Sequence, residues 1–156
     1  MTRPAAFSAR ALMPCLIAIA MLGVALRAES APPKGESTLP AAEWKAIKKV
    51  IGDQRAALKA GDAAKAFAQA SPGIHAQFET PEKFLAMVRT AYDALLAARY
   101  VEFLEGAVVE GNVIQPLRLI APDNSVQVAL YTMEKQKDGR WKIAGCVLAP
   151  STVQAA

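Results

Sequence analysis

The spacing of apolar residues in the first half of the chain predicts a long amphipathic helix over residues 40–60. Large apolar side chains recur there three, four and seven positions apart, which places them on one helical face. This face is formed by Trp44, Ile47, Ile51 and Leu58. Pro40 suits the first helical turn, and Glu43 favours the positive end of the helix dipole. Gly61 is expected to end the helix.

Further helical segments follow before the period of the pattern changes. A short helix is predicted from residue 62 to about residue 70, and another helical turn starts at Ser71-Pro72. The sequence Thr80-Pro81-Glu82 combines a capping hydroxyl, a proline at the first helical position and an acidic first turn. We expect the helix that begins there to end near Ala98.

From Arg99 onward the pattern is typical of β-strands. Four strands are predicted, over residues 100–109, 113–120, 126–135 and 141–148, and short turn sequences between them indicate antiparallel hairpins. Pro116 lies inside the second strand, where it has no N–H to donate, so we expect a bulge or sharp bend there. Helices followed by strands predict an α+β fold in which N-terminal helices pack on one face of a curved, cone-like, four-stranded antiparallel meander. A cavity could then lie beneath the helices.

The N-terminal 30 residues have the pattern of a secretory signal peptide. Two arginines precede an uncharged apolar run over residues 11–26, and small residues follow it. This run is shorter than the roughly 20 residues of a membrane-spanning helix, and an uncleaved anchor is the alternative. Cleavage after Ser30 or after Ala28 fits the pattern. We therefore expect a periplasmic or secreted protein with no stable membrane span after cleavage, a disordered leader over residues 31–39, one domain over 40–150 and a flexible tail over 151–156.

Composition narrows the classes of function. The 156 residues suit one domain, and the net charge of +4 falls to +2 once three basic residues and one acidic residue leave with the signal peptide. Such a small charge without a clustered basic face argues against nucleic-acid binding. The single histidine, His75, excludes a multi-histidine metal site, and there is no phosphate-binding glycine loop or Gly-x-Ser-x-Gly turn. We expect no metal and no cofactor, and we assign no catalytic residue.

Cys146 and His75 both have simple structural interpretations. Cleavage of the signal peptide would leave Cys146 as the one cysteine, so no internal disulfide is expected. A buried, inert thiol is the simplest interpretation of Cys146, and a reactive thiol or an intermolecular disulfide is the alternative. For His75 we expect a structural or solvent-facing role.

Four polar residues are candidates for ligand binding. Arg89 and Tyr92 are three apart on a predicted helix and could together hold an anionic group at a cavity mouth. Alternatively, Arg89 could form an ordinary surface ion pair with Asp93. Arg118 and Tyr131 lie inside otherwise apolar strands, and the alternation does not decide whether they line a cavity or face water.

Several segments together resemble a bacterial family, the domain of unknown function 4864. The resemblance rests on Ser71-Pro72-Gly73-Ile74, Thr80-Pro81-Glu82, Met87-Val88-Arg89, Val101-Glu102-Phe103, the run from Ala129 to Glu134 and the run from Trp141 to Leu148. It covers roughly residues 40–150. The resemblance implies a small exported α+β domain similar to the nuclear-transport-factor-2-like or SnoaL-like superfamily, with no established activity. Residues 93–96 depart from a more proline-rich stretch of the family, which leaves the end of the preceding helix open.

Three functions remain compatible with the sequence. The first is a non-enzymatic module that binds a small molecule or a partner protein in or beside the cone. The second is a homodimeric assembly module that uses the open face of the sheet. The third is an isomerase-like enzyme, in which Glu102 or Glu105 acts as base in an apolar cavity and Tyr92 or Tyr131 stabilises an oxyanion.

Overall fold

A computed structural model describes residues 39–151 of the chain. The predicted signal peptide over residues 1–30 lies outside the described residues, as do almost all of the predicted leader and tail. Five helices precede five strands in the described part, so the α+β architecture is confirmed. The helices are α1 (Ala41–Ala60), α2 (Ala63–Ala68), α3 (Pro72–Phe78), α4 (Pro81–Ala91) and α5 (Asp93–Ala97). The strands are β1 (Tyr100–Phe103), β2 (Ala107–Val109), β3 (Asn112–Ile120), β4 (Val126–Lys135) and β5 (Trp141–Pro150).

The ends of α1 and α4 follow the predicted capping chemistry. Gly61 adopts the left-handed conformation with φ 74°, and its N–H donates to the Leu58 carbonyl at 3.1 Å. At the start of α4, the Thr80 hydroxyl accepts a hydrogen bond from the Lys83 N–H at 3.2 Å. Ile47, Ile51 and Leu58 are buried along one face of α1, which confirms the apolar periodicity of that helix.

The helix predicted to continue from Thr80 to Ala98 is broken at Tyr92, so that prediction is wrong. Tyr92 has φ −132° and ψ 34°, outside the helical region, and it ends α4 and precedes α5. The Asp93 carboxylate accepts from the Ala94 N–H at 2.9 Å and so supports the new helix start. The Tyr92 hydroxyl donates to the Cys146 carbonyl of β5 at 2.8 Å. A long-range contact therefore anchors the side chain of the residue at which the helix breaks.

The first predicted strand is also interrupted, which gives five strands in place of four. β1 and β2 both pair with β3, and the segment over residues 104–106 between them leaves the ladder. Gly106 lies against the indole of Trp44, where an added Cβ would come within 2.4 Å of the ring. The close packing of α1 on this segment accompanies the interruption, and a residue with a side chain would not fit there.

Pro116 is accommodated without a bulge in its own strand, contrary to the prediction. The β3–β4 pairing runs through Pro116 with no shift in register. The Pro116 carbonyl accepts from the Leu104 N–H at 3.1 Å. In an antiparallel strand, the backbone N and C=O of one residue point to the same neighbouring strand. The nitrogen of Pro116 therefore faces the interruption between β1 and β2. A missing N–H costs no ladder hydrogen bond there. The Gln115 side-chain amide donates to the Leu104 carbonyl at 2.8 Å and so satisfies a group left by the gap.

The irregularity in the sheet lies instead between β4 and β5. Thr132 pairs with Gly145 but Met133 pairs with Ile143, so Ala144 is an extra residue on β5. After this bulge, Cys146 faces the helices directly opposite Tyr131. The sheet is an open antiparallel one with the order β1-β3-β4-β5, and β2 continues the edge beside β3.

Two apolar clusters form the interior of the described domain. The sheet core joins the inner face of the sheet to α1 and α5, and its largest buried members are Tyr131, Ile47, Ile51, Leu117 and Leu119. The helical cluster joins the end of α1 to α2 and α4 through Leu58, Phe67, Phe84, Leu85 and Val88. Tyr92 packs against both clusters. Within residues 39–151, no helix has the length and apolar character needed to cross a membrane.

Candidate functional site

An open pocket of about 540 Å³ lies where the two apolar clusters meet. Helices α1, α3, α4 and α5 form its walls, and the inner face of β4 and β5 forms its floor. Its lining is mostly aliphatic and aromatic, with few hydrogen-bonding side chains, which is the usual character of a small-molecule site. The main apolar lining residues are Leu58, Ile74, Phe78, Phe84, Met87, Val88, Leu95 and Ile143.

Aromatic packing positions the helical wall of the pocket. The rings of Phe78 and Phe84 meet edge to face, with centroids 5.8 Å apart, and this contact joins α3 to α4. His75 stacks on Phe67 with a centroid distance of 4.1 Å. The His75 Nε2 also lies 2.7 Å from the Phe67 carbonyl oxygen, so this histidine holds α3 against α2.

Tyr131 is a fully buried polar residue on the pocket floor. Its side chain is 0% exposed, and its hydroxyl has no hydrogen-bond partner among the described residues. An unsatisfied buried polar group of this kind costs about 1–3 kcal/mol. Burial raises the pKa of Tyr131 well above its usual range, so the phenol stays protonated and remains a donor.

Cys146 lies beside Tyr131 on the pocket floor. The two residues are direct partners across the β4–β5 ladder, and both line the pocket. Burial raises the pKa of the Cys146 thiol to about 12, which keeps it protonated at neutral pH. This environment supports the interpretation of Cys146 as an inert thiol.

Two other hydrogen-bonding side chains of the lining already have protein partners. The Tyr92 hydroxyl donates to the Cys146 carbonyl, and burial raises the pKa of this phenol as well. The Gln54 amide donates to the Ala66 carbonyl at 3.3 Å. The phenol of Tyr131 thus differs from both, because the described chain supplies it with no acceptor.

The structure brings two of the four predicted binding residues together. Tyr92 and Tyr131 line the same pocket. Arg89 is exposed on α4 and is not part of the lining, and Arg118 projects from the opposite face of the sheet. There Arg118 forms an ion pair with Glu102 at 2.8 Å, and both side chains are partly exposed.

The structure places Arg89 neither in an ion pair with Asp93 nor at the pocket. In the described part of the chain, Arg89 forms no ion pair with Asp93, since the break at Tyr92 removes the continuous helical spacing. Its guanidinium lies instead near Gly61, at the C-terminal end of α1. Arg89 and Tyr92 therefore do not converge on the pocket as an anion clamp.

The carboxylates considered for a base lie away from the pocket. Glu102 is on the opposite face of the sheet with Arg118, and Glu105 is exposed in the segment between β1 and β2. No Asp or Glu of the described residues lines the pocket. Within residues 39–151, no group of three histidine, cysteine or acidic residues is arranged to hold a metal ion.

Arg55 is a residue near the site that sequence reasoning missed. Its guanidinium donates to the Leu95 carbonyl at 3.1 Å, while its Nε is buried without a partner among the described residues. Burial lowers the pKa of Arg55, and the electrostatic influence of Tyr131 opposes this shift. Gln54 and Arg55 follow Ile51 by three and four positions, so two polar residues on the apolar face of α1 could have indicated this site.

Comparison with known proteins identifies the domain family. The family model described as Domain of unknown function (DUF4864) matches residues 40–156, which is well over half of the chain. No curated protein and no solved structure matches the chain. The match confirms the family resemblance drawn from the sequence. This chain belongs to the DUF4864 family.

Proposed function

We propose that this protein is a non-enzymatic module that binds a small, largely apolar molecule in the pocket between the helices and the sheet. The observation that carries the proposal is the pocket itself, which is apolar, open and large enough for a small organic molecule, with a buried phenol on its floor. The absence of any acidic residue from the described lining argues against the isomerase-like alternative, which needs a carboxylate base there.

A fluorescence titration of the purified protein tests this proposal. The probe is N-phenyl-1-naphthylamine, an uncharged aromatic compound whose emission rises in apolar surroundings. Ala91 lies at the end of α4 and lines the pocket, so we expect Ala91→Trp to fill the site and weaken probe binding at least tenfold. Ala86→Trp is the matched control, because Ala86 is exposed on the same helix and is not part of the lining.

The result has two clear outcomes. Saturable probe binding that Ala91→Trp weakens and Ala86→Trp preserves would support the pocket as the binding site. Binding that is absent, or equal in both variants, would contradict the proposal.

A second candidate function is a homodimer formed through the outer face of the sheet, the face opposite the helices. Leu130 and Val147 are direct ladder partners on this face and are 37% and 63% exposed. Pro116 extends the same apolar row through its pairing with Leu130. The nearby ion pair of Glu102 and Arg118 places both charge signs beside the row, so a two-fold related copy could meet complementary charges.

Light scattering coupled to size-exclusion chromatography tests the homodimer. We expect a dimeric mass for the unmodified protein and a monomeric mass for Val147→Lys, because a charge would then stand in the buried centre of the interface. Ala64→Lys adds the same charge at an exposed position of α2 and should leave the dimer intact. A monomeric mass for the unmodified protein across micromolar concentrations would exclude this candidate.

We further propose that the protein is exported by its N-terminal segment and that its fold is related to the nuclear-transport-factor-2-like superfamily. The basic, apolar and small-residue zones of residues 1–30 support export, and helices placed before an antiparallel meander with a pocket between them support the relationship. Expression of the full chain in a bacterium should yield a periplasmic product that lacks residues 1–28 or 1–30 by intact mass. A full-length product retained in the membrane would support the uncleaved anchor instead.

A further inference from the structure

The hydroxyl of Tyr131 points to a particular chemistry in the ligand. Tyr131 lines the pocket floor, its side chain is fully buried, and its hydroxyl lacks an acceptor in the described chain. Buried hydroxyls in folded proteins are nearly always hydrogen-bonded, so an unpaired one that belongs to a pocket-lining residue is a place where a water or a ligand can supply the partner. Because a protonated phenol donates one hydrogen bond, the missing partner is an acceptor atom.

The neighbouring polar groups do not compete for that acceptor. Tyr92 and Gln54 already donate to backbone carbonyls, at 2.8 Å and 3.3 Å. The Cys146 thiol is a weak donor and remains protonated in its partly buried position. Tyr131 is therefore a hydrogen-bond donor of the pocket floor that lacks an acceptor in the described chain, whereas the Gln77 amide lines the pocket from the exposed side of α3.

The charge of the lining restricts the ligand further. None of the described lining residues is Asp, Glu, Lys or Arg. Arg55 influences Tyr131 electrostatically, but it is not part of the lining, and its guanidinium already donates to the Leu95 carbonyl. A carboxylate that contacted the buried Tyr131 hydroxyl would lose its hydration, and none of the described lining residues supplies a positive charge in exchange. Such a transfer is strongly unfavourable. These surroundings favour an uncharged acceptor.

We infer that the pocket selects uncharged, apolar molecules that carry a carbonyl oxygen, which accepts a hydrogen bond from the Tyr131 hydroxyl. This inference rests on the proposed small-molecule-binding function and adds the chemical class of the ligand. The apolar walls supply affinity for the carbon skeleton, and the phenol supplies the preference for the carbonyl group.

Three naphthalene probes with the same ring system test the inference by fluorescence titration. The first is the ketone 6-propionyl-2-dimethylaminonaphthalene, the second is its propyl analogue, in which CH₂ replaces the carbonyl, and the third is 6-dimethylamino-2-naphthoic acid. We expect the unmodified protein to bind the ketone about five- to tenfold more tightly than the propyl analogue, the factor of one net hydrogen bond. We expect the acid to bind more weakly than the ketone.

The tyrosines of this chain provide the variant and its matched control. Tyr131→Phe removes the proposed donor and should abolish the ketone preference while preserving binding of the propyl analogue. Tyr100→Phe removes the same hydroxyl from an exposed residue of β1 and should leave the preference unchanged. Infrared spectroscopy gives a second readout in the unmodified protein, where the carbonyl stretch of the bound ketone should lie below its value in an alkane solvent.

The failures of the two proposals are distinguishable. A ketone preference that is absent, or that survives in Tyr131→Phe, overturns the inference, as does tighter binding of the acid than of the ketone. In those cases, propyl-analogue binding that is weakened by Ala91→Trp still supports the pocket. If no probe binds, or if Ala91→Trp has no effect, the proposed function fails and the inference fails with it. Should Tyr131→Phe not fold, an unshifted carbonyl stretch in the unmodified protein overturns the inference.

Discussion

Replacement of Gly106 by alanine should destabilise the domain through a collision with Trp44. The added Cβ would lie 2.4, 2.7 and 2.8 Å from three carbons of the indole ring, whereas carbon atoms pack best at about 3.5–4.0 Å. The ring would have to move by about 1 Å, although it packs against the sheet core. Overpacking of this kind costs about 1–3 kcal/mol, so we expect the free energy of unfolding to fall by that amount. Urea denaturation followed by circular dichroism measures the change.

Two further variants identify the cause of that change. Gly52 lies within α1 with no atom near its added Cβ, so Gly52→Ala should raise the free energy of unfolding by about 0.5–1 kcal/mol through helix propensity. In a Trp44→Leu background, which removes the obstructing ring, Gly106→Ala should cost close to nothing. An equal cost of Gly106→Ala in both backgrounds would refute the collision, and so would a Gly106→Ala protein as stable as the unmodified one.

Three other predictions concern the buried phenol, the thiol and an ion pair. Tyr131→Phe should leave the free energy of unfolding unchanged or raise it by up to about 1 kcal/mol in denaturant titrations, because the lost hydroxyl has no partner among the described residues; a clear loss of stability would contradict this. The Cys146 thiol pKa of about 12 leaves little reactive thiolate at pH 8. Iodoacetamide should therefore modify Cys146 on the order of a thousandfold more slowly in the folded than in the denatured protein, as measured on its peptide by mass spectrometry. Glu43 accepts hydrogen bonds from Lys135 and Trp141, which hold the pKa of its carboxyl below the ordinary value of 4.5. The pKa of Glu43 is thus lower in the folded than in the unfolded protein, so its carboxylate stabilises the fold above pH 4.5. The melting temperature of the unmodified protein should exceed that of Glu43→Gln at about pH 6, and the difference should shrink as the pH falls below 4.5. A difference that stays constant down to pH 3 would contradict this assignment.

The parts of the fold that depend on local chemistry were predictable from the sequence. The cap at Thr80, the helix end at Gly61 and the turns between the last three strands all lie where neighbouring residues determine the backbone conformation. The interruption between β1 and β2 lies instead where Gly106 packs against Trp44, which is about 60 residues earlier in the chain. Pro116 faces that interruption, so β3 continues through the proline without losing a ladder hydrogen bond. Contacts at such separations leave no periodic pattern in a single sequence.

The candidate site was predictable only in part for a similar reason. Tyr131 was recognisable as a polar residue in an apolar strand, and Tyr92 by its spacing from Arg89 on a predicted helix; both line the pocket. Which face of the sheet Arg118 occupies depends on the register of β3, and an expected bulge at Pro116 made that register uncertain. Whether the Tyr131 hydroxyl has a hydrogen-bond partner depends on the positions of all the donors and acceptors around it. Only the folded structure gives those positions.

The helix break at Tyr92 has a consequence for the dynamics of the domain. It separates α4, which belongs to the helical cluster, from α5, whose Leu95 belongs to the sheet core. Segments stabilised by different clusters can open with different free energies, and amide hydrogen exchange resolves them as separate cooperative units. We therefore expect the amides of α4 to exchange with a different free energy of opening from those of α5, even though Tyr92 joins the two helices and packs against both clusters.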